Sequence, residues 1–224
     1  MHSGYDDAGL VENAVAAGAH REFIGGLWDE LGQLQLDFLI ARGLQPASRL
    51  LDIGCGSLRL GVRAAPYLDP GHYFGTDINA ALIEAGRLHE LTPEGRERLP
   101  PANLSASADF DFNFLPAPMD FGIAQSVFTH LPLNHLRRCL AKAAPKFRVR
   151  AKLYVTAFLI PAADDLFAPH LTSPGGVITH DWCDPYHYRP GDVAYAAAGL
   201  PWRCTVLGAW GHPRGQQMIE YERI

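Results

Sequence analysis

With 224 residues, 48% of them hydrophobic and 19% charged, the chain has the composition of a globular protein and can bury one substantial core. Its net charge of −5 and the lack of a long basic stripe argue against nucleic acid as a partner. No apolar run is long enough to span a membrane, and no basic segment opens the chain. We therefore expect a cytoplasmic protein with neither a signal peptide nor a transmembrane helix. The four cysteines are not spaced as metal ligands and indicate reduced thiols.

The chain begins with residues 1–19, which are mostly small and predict an N-terminal arm or a short helix. Residues 20–224 are predicted to form a single domain. Apolar side chains recur at helical spacing across residues 22–43, so we predict one helix before the first strand. The glycine pair at 25–26 is unusual in such a helix, because glycine costs about 1 kcal/mol there relative to alanine.

The most informative segment begins with apolar residues at 49–53, which predict a strand, and continues into Gly54 and Gly56. Glycine at these positions lets the backbone turn sharply and approach a ligand closely. A second predicted strand ends at Asp77, 25 residues after Asp52. At about this spacing, an acidic residue at the end of a second strand reaches the hydroxyls of a ribose. The two strands therefore predict a nucleoside-binding βαβ unit.

Two features of this unit argue against a nicotinamide dinucleotide. Arg59 stands where a GxGxxG fingerprint has its third glycine, and Asp52 lies just before the first glycine. A dinucleotide places its pyrophosphate at the helix N-terminus, where a nearby carboxylate would repel it. S-adenosylmethionine (SAM) carries a cationic sulfonium instead and tolerates that carboxylate.

The segments at 50–56 and 72–79 together resemble motif I and the following acidic strand end of class I SAM-dependent methyltransferases. Leu58 departs from the pattern, because the family often has its last glycine there. The resemblance covers about residues 20–224 and implies SAM as the cofactor, with no metal required. It also implies cofactor contacts along the first two strands, from Asp52, Gly54, Cys55, Gly56, Arg59, Asp77 and Ile78.

The resemblance gives the glycine pair at 25–26 a possible role, since an N-terminal helix covers the cofactor in related methyltransferases. His20, Arg21 and Trp28 are then candidates for such a cap. The alternative is a helix junction that packs on the sheet and places Trp28 in the core.

The third predicted strand, near 102–107, leads to Asp109 and Phe110. The carboxylate of Asp109 can accept a hydrogen bond from the exocyclic amine of adenine, and Phe110 can cover the ring. The resembled family has an acidic–hydrophobic pair at this point. Asp111 lies close by, so the register stays open, and a loop with two solvated acids is the alternative.

The fourth predicted strand, near 120–125, is followed by candidate ligand contacts, because parallel strands bind ligands beyond their carboxyl ends. Gln125 and Ser126 are candidates for the methionine part of SAM, and Phe128 for a wall of the substrate pocket. His130 is a candidate general base, since histidine titrates near neutral pH and can deprotonate a hydroxyl or an amine. The alternative is a structural histidine bonded to a backbone carbonyl.

The longest irregular region is 161–190, and long loops of this kind are commonly lids or binding elements. Tyr186 and Tyr188 near its end are candidate substrate contacts. The same stretch could instead hold a metal, although its spacing matches no known metal motif. The side chains in question are those of His180, Asp181, Cys183, Asp184 and His187.

Strands alternate with helical stretches along the chain, which predicts an α/β fold with a mostly parallel sheet and helices on both faces. The last two strands are joined too closely for a helical crossover and must form an antiparallel hairpin. A seven-stranded sheet ending this way resembles the methyltransferase fold. In the hairpin turn, His212 and Gln216 are candidate substrate contacts, and Arg214 can pair with a substrate carboxylate. The alternative is that these residues only form the turn, because tight turns need such residue types for structural reasons. Strands are predicted near 49–53, 72–77, 102–107, 120–125, 152–159, 203–208 and 216–222, and helices near 58–67, 79–90, 133–143 and 190–198.

The function implied by the resemblance is methyl transfer from SAM to an oxygen or nitrogen nucleophile, possibly a carboxylate, of a small molecule or a peptide end. A non-catalytic SAM-binding sensor or partner subunit would have the same cofactor residues. A nicotinamide-dependent oxidoreductase would predict a third glycine and a Tyr/Lys pair at helical spacing, and neither is present. The sequence indicates no oligomeric state.

Overall fold

The computed structural model describes residues 7–224, which form two compact units, one ending at Phe121 and the other beginning at Gly122. The first unit begins with the helices α1 (Ala8–Ala16), α2 (His20–Phe23) and α3 (Trp28–Ala41). The short helix expected in the first 19 residues is present as α1, and the expectation for residues 1–6 lies outside the described residues. The assignment of 20–224 to a single domain stays a prediction.

The single helix predicted across 22–43 is wrong, because the chain turns between α2 and α3. Gly25, Gly26 and Leu27 have φ angles of 94°, 60° and 50°, in the left-handed region that a helix excludes. The guanidinium of Arg59 donates to the carbonyl oxygen of Gly26 at 3.0 Å and so stabilises the turn from a distant part of the chain. The structure therefore has a helix junction here, with Trp28 buried at the start of α3.

Three parallel strands form the sheet of the first unit: β1 (Leu50–Ile53) pairs with β2 (Tyr73–Asp77), which pairs with β3 (Leu104–Ala106). All four residues of β1 are buried, as expected of an interior strand of a parallel sheet. The helices α4 (Gly61–Tyr67) and α5 (Ala80–Ala85) pack against β2. A π-helical turn (Gly86–Glu90) continues α5, and α6 (Pro93–Arg98) follows.

The π-helical turn packs closely against the loop that follows β1. A Cβ atom at Gly86 would lie 2.4 Å from the carbonyl oxygen of Ser57, so a larger residue would displace one of the two segments. Gly75 of β2 is crowded too, because a Cβ there would lie 3.0 Å from Sγ of Cys55. The glycines of this region therefore allow backbone segments to approach the β1 loop closely.

The second unit contains the antiparallel part of the sheet. The strand β4 (Met119–Ala124) crosses the boundary between the units, and β10 (Gln217–Arg223) pairs antiparallel with both β5 (Phe147–Leu159) and β9 (Trp202–Ala209). The strand order is β3-β2-β1-β4-β5-β10-β9. The predicted α/β fold, with a mostly parallel sheet and a C-terminal antiparallel hairpin, is confirmed.

Several elements of the second unit differ from the predicted ones. The long irregular region contains three short strands, of which β6 (His170–Leu171) pairs with β7 (Ile178–Thr179), while β8 (His187–Tyr188) adds to β5. The strand β5 begins at Phe147, whereas the sequence predicts its start near residue 152. The prediction begins too late because the first residues of the strand are mostly exposed and lack an apolar pattern. The helices are α7 (Leu133–Ala143), as predicted, and α8 (Pro190–Ala196). No helix within residues 7–224 is both long and apolar enough to cross a membrane.

Candidate active site

The glycine loop after β1 and the carboxylate that ends β2 are in direct contact. Gly54 and Gly56 have φ angles of 72° and 52°, which favour glycine. Asp77 accepts hydrogen bonds from the backbone N–H of Gly56 at 2.8 Å through Oδ2 and from that of Asn79 at 2.9 Å through Oδ1. An ionised carboxylate has about four acceptor positions, so these two bonds orient Asp77 and leave acceptor capacity on both oxygens.

Burial raises the pKa of Asp77, while the backbone N–H groups of Asn79 and Gly56 act in the opposite direction. Ile78 follows the carboxylate directly and is 42% exposed, although its side chain is apolar. A polar acceptor and an exposed apolar side chain thus lie side by side, which is the combination that a nucleoside needs for its hydroxyls and its base.

Asp52 lies in the core beneath the glycine loop. It is 3% exposed, and its Oδ2 accepts a hydrogen bond from the hydroxyl of Tyr73 at 2.6 Å. Burial raises the pKa of Asp52 to about 7, against the opposing effects of the Tyr73 hydroxyl and the Arg59 guanidinium. Cys55 is buried as well, and burial raises the pKa of its thiol. The predicted cofactor residues of the first strand and its glycine loop therefore include two buried groups whose pKa burial raises.

The junction between α2 and α3 packs on the glycine loop. A Cβ atom at Gly56 would lie 3.1 Å from Cγ2 of Ile24, the residue that follows α2. Arg59, a predicted cofactor residue, is buried and donates to the carbonyl oxygen of Gly26. Leu58, where the resembled family often has glycine, has a φ of 67°, so the backbone there has the conformation that glycine favours.

Two of the three residues proposed for a cap, His20 and Arg21, contact one buried carboxylate, that of Glu90 in the π-helical turn. Glu90 Oε1 lies 2.6 Å from Nε2 of His20 and accepts from Nε of Arg21 at 2.8 Å. Burial opposes the ionisation of Glu90, but the bonds from Arg21 and His20 outweigh it and lower the pKa. Arg21 also lies over the ring of Trp28, 4.8 Å from its centroid. These contacts join α2 to the π-helical turn that follows α5.

The loop after β3 contains both Asp109 and Asp111, and the sequence does not decide which of these acids contacts adenine. Phe110 is buried with a φ of 53°, whereas Asp109 and Asp111 are exposed. Oδ1 of Asp111 accepts from the backbone N–H of Asn113 at 2.9 Å, forming a local turn. The hydroxyl of Ser107 accepts from the backbone N–H groups of both acids. The choice between Asp109 and Asp111 as the acid that contacts adenine therefore stays a prediction.

In the second unit, a buried hydrogen-bond network surrounds the end of β4. Ser126 has a φ of 60°, and its backbone N–H donates to the hydroxyl of Thr156 at 2.8 Å. The hydroxyls of Ser126 and Thr156 both donate to Oε1 of Gln216, at 3.0 and 2.7 Å. Because Gln216 is 4% exposed, its amide is a fixed part of this network. The network holds Ser126 in a strained conformation that isolated serine disfavours.

Gln125 and His212 are also in contact, and both are buried. Nε2 of His212 lies 3.2 Å from the side-chain amide of Gln125, and its Nδ1 accepts from the backbone N–H of Arg214 at 3.1 Å. The atom of Gln125 in this contact is the amide nitrogen Nε2, which is a hydrogen-bond donor. The predicted residues of β4 and of the hairpin turn thus form one polar cluster.

The segment 126–131 and the end of the long loop are joined by three hydrogen bonds. Nδ1 of His130 lies 2.7 Å from Oδ1 of Asp184. The backbone N–H of Tyr186 donates to the carbonyl oxygen of Thr129 at 2.7 Å, and the hydroxyl of Tyr188 donates to the carbonyl oxygen of Leu131 at 2.8 Å. The structure therefore brings the predicted residues His130, Tyr186 and Tyr188 together, beside a fully buried Phe128.

The two tyrosines have different environments. Their rings are nearly parallel, with an interplanar angle of 11° and centroids 6.4 Å apart. Burial raises the pKa of both Tyr186 and Tyr188. Tyr188 uses its hydroxyl on Leu131, whereas the ring of Tyr186 is half-buried. Tyr186 is thus the better placed of the two to contact a substrate.

The metal site considered for residues 180–187 has no support in the geometry. Within residues 7–224, no group of three His, Cys, Asp or Glu side chains is arranged to hold a metal ion. Both ring nitrogens of His187 have protein partners, the hydroxyl of Thr179 at 2.9 Å and the carbonyl of Leu166 at 3.0 Å. Asp184 is bonded to His130.

Three residues that hold predicted site residues in place were not assigned that role from the sequence: Glu90, Thr156 and Asp184. Asp184 was considered only as a metal ligand, and it lies 54 residues from His130. No local pattern links these pairs, because each contact joins distant parts of the chain.

Comparison with known proteins addresses the fold. No family model matches the chain. The structure is similar to magnesium protoporphyrin IX methyltransferase of Synechocystis PCC 6803 with bound SAM, with a TM-score of 0.64, 15% identity and 100% of both chains covered. It is also similar to human N-acetylserotonin methyltransferase in complex with SAM, with a TM-score of 0.66, 15% identity and coverage of 98% of this chain and 57% of that one. The chain has the class I SAM-dependent methyltransferase fold.

A third solved structure with this methyltransferase fold is CalS10 from Micromonospora echinaspora, an amino pentose methyltransferase with bound SAM. Its TM-score is 0.60 at 16% identity, with 96% of this chain and 97% of that chain covered. At these identities the likeness is one of fold.

Proposed function

We propose that this chain is a SAM-dependent methyltransferase that acts on an oxygen or nitrogen nucleophile of a small molecule or a peptide end. The observation that carries the proposal is the carboxylate of Asp77, which Gly56 and Asn79 orient beside the glycine loop. The similar solved structures support a small acceptor, since they are named as methyltransferases of a magnesium porphyrin, of N-acetylserotonin and of an amino pentose.

The unit that ends at Phe121 carries groups suited to the nucleoside part of SAM. Asp77 is an acceptor for the ribose hydroxyls and Asp109 an acceptor for the adenine amine. In the unit that begins at Gly122, the polar groups around Gln125 and Ser126 are our candidates for the methionine part. When bound, SAM supplies an electrophilic methyl carbon, which the acceptor atom attacks while the bonding pair stays on sulfur. The protein's share of the work is to align the acceptor and exclude water.

His130 is the group that we propose as general base. A hydroxyl or ammonium acceptor must lose its proton before or during the transfer, and a positioned histidine contributes about 10²–10⁴-fold to such a step. A carboxylate acceptor would need no base. The pairing of His130 with Asp184 supports an acceptor that does carry a proton.

The experiment that tests the proposal measures transfer of a radiolabelled methyl group from SAM to a panel of phenols, alcohols, amines and carboxylic acids. We expect the wild-type chain to label a hydroxyl or an amine, and His130→Ala to lower that turnover about 10²-fold or more while SAM affinity stays within a few-fold. Binding of SAM with no labelling of any acceptor would favour a non-catalytic SAM-binding protein. Labelling that survives in His130→Ala would make this histidine structural.

A further inference from the structure

The chain that follows α2 lies against the glycine loop after β1. A Cβ atom at Gly56 would lie 3.1 Å from Cγ2 of Ile24, so the Ile24 side chain packs on this loop. The backbone N–H of Gly56 is also one of the two donors that orient Asp77. The guanidinium of Arg59, just beyond the loop, donates to the carbonyl oxygen of Gly26. A nucleoside that uses Asp77 therefore enters beside the segment that carries Ile24.

Two glycines on either side of α2 allow its ends to turn. Gly18 and Gly26 have φ angles of 69° and 60°, and a Cβ atom at either position would meet no surrounding atom within 4 Å. The helix between them has four residues, His20–Phe23. A single helical turn has little stability of its own, and hinges are typically a few loop residues that absorb a change in backbone angles. The position of α2 therefore depends on the contacts of its side chains.

Two side chains of α2 are bonded to the carboxylate of Glu90 in the π-helical turn. Glu90 Oε1 lies 2.6 Å from Nε2 of His20 and accepts from Nε of Arg21 at 2.8 Å, and Oε2 accepts from Nη2 of Arg21 at 2.5 Å. The side chains of His20 and Glu90 are 7% and 5% exposed, whereas that of Arg21 is 45% exposed. Hydrogen bonds with an ionised partner are about twice as strong as neutral ones. One buried carboxylate thus holds α2 through three short contacts.

We propose that Glu90 is a positioning residue that holds α2 beside the glycine loop and thereby sets how fast the nucleoside part of SAM enters and leaves. Opening breaks the bonds of Glu90 to His20 and Arg21, and α2 then turns about the glycines on either side of it. Because Arg21 is already partly exposed, water can replace the carboxylate at its guanidinium. Closing restores these bonds behind the bound nucleoside. This inference rests on the proposed function.

Association and dissociation respond together when α2 has to open for both. Only the open fraction of the chains exchanges the nucleoside, so each observed rate is the rate in the open form multiplied by that fraction. A substitution that weakens the bonds to Glu90 raises the open fraction of the free chain and of the bound chain by a similar factor. Both rates then rise, and Kd changes little. Loss of a residue that only supports the site instead acts mainly on dissociation.

Stopped-flow fluorescence of the full chain mixed with SAM measures both rates. We expect Glu90→Gln to raise the association and dissociation rate constants about tenfold each, with Kd changed by no more than about threefold. The matched control is Glu84→Gln on α5, because the Glu84 side chain is 54% exposed and pairs with Arg87. This control should leave both rates unchanged. An unchanged or lower association rate in a folded Glu90→Gln chain would overturn the proposal.

A second variant and a second measurement keep the test valid if Glu90→Gln folds poorly. Arg21→Ala removes the partly exposed partner of Glu90 and should raise both rates in the same way. Hydrogen exchange follows the opening of α2 without any ligand. The backbone N–H groups of Phe23 and Gly26 are hydrogen-bonded within the segment, to the carbonyl oxygens of Ala19 and Arg21. We expect both groups to exchange faster in the variants than in the wild type, and equal exchange would contradict the proposal.

A titration with SAM separates failure of this inference from failure of the proposed function. A chain that binds no SAM contradicts the proposed function, whatever the exchange behaviour of α2. A chain that binds SAM and transfers methyl groups, but in which Glu90→Gln and Arg21→Ala leave the association rate unchanged, retains the function and loses this inference.

Discussion

The buried carboxyl of Asp52 should make the stability of the chain depend on pH, and Asp52→Asn should remove that dependence. Asp52 is 3% exposed and accepts a hydrogen bond from Tyr73, and its burial raises its pKa to about 7. Asparagine has nearly the same size, is neutral at every pH, and keeps an oxygen for the Tyr73 hydroxyl. The substitution therefore removes the charge with little change in packing.

The sign and size of this pH dependence follow from the difference in the pKa of Asp52 between the folded and the unfolded chain. Because the pKa of Asp52 is raised in the folded chain, the unfolded chain loses this proton first as pH rises, starting near its ordinary value of 3.8. The free energy of unfolding is then expected to fall by about 1.4 kcal/mol per pH unit up to about pH 7, and to level off above it. The full penalty is about 4 kcal/mol, of which about 3 kcal/mol lies between pH 5 and pH 8.

Urea unfolding at pH 5 and pH 8 measures this difference. We expect the stability of Asp52→Asn relative to the wild type to be about 3 kcal/mol higher at pH 8 than at pH 5. Asp111→Asn, at an exposed carboxyl, is the matched control and should show no such gap. A difference between Asp52→Asn and the wild type that is the same at both pH values would show that Asp52 is ionised throughout and refute the reasoning.

Three further predictions concern the loops around the site. Asp109→Ala should weaken SAM binding more than Asp111→Ala in calorimetric titrations, and the reverse order would place the adenine on the other acid. Gly86→Ala should lower the free energy of unfolding by about 1–3 kcal/mol in urea titrations, since its Cβ would lie 2.4 Å from a carbonyl oxygen, whereas Gly191→Ala, with open space around it, should have little effect. The pH–rate profile of methyl transfer to a hydroxyl acceptor should rise through one ionisation that His130→Ala removes, and a limb that persists in the variant would point to another base.

The sequence predicts the first parallel strands and the C-terminal hairpin of the sheet because the signals for them are local. The apolar run at 49–53, the glycines after it and the acid at Asp77 lie within one βαβ unit, and the two predicted strands of that unit agree with β1 and β2 to within one residue. The antiparallel hairpin followed from the short connection before Gln216, which leaves no room for a crossover.

What the sequence could not show depends on long-range contacts. The helical periodicity of residues 22–43 continues across the glycine pair, but the distant Arg59 side chain stabilises a turn there. The partners of His20 and His130, Glu90 and Asp184, lie 70 and 54 residues away along the chain. Nothing in the local pattern around either histidine indicates its partner.

The measurement that tests the central claim most directly is a calorimetric titration of the full chain with SAM, S-adenosylhomocysteine and NADH, repeated with Asp77→Ala. We expect SAM and S-adenosylhomocysteine to bind at one site and NADH not to bind. Asp77→Ala should weaken the binding free energy of SAM and of S-adenosylhomocysteine by at least about 1.5–3 kcal/mol each. The substitution removes the hydrogen bonds that the ribose hydroxyls would donate to a charged acceptor. Binding of NADH without SAM, or wild-type SAM affinity in a folded Asp77→Ala chain, would contradict the account.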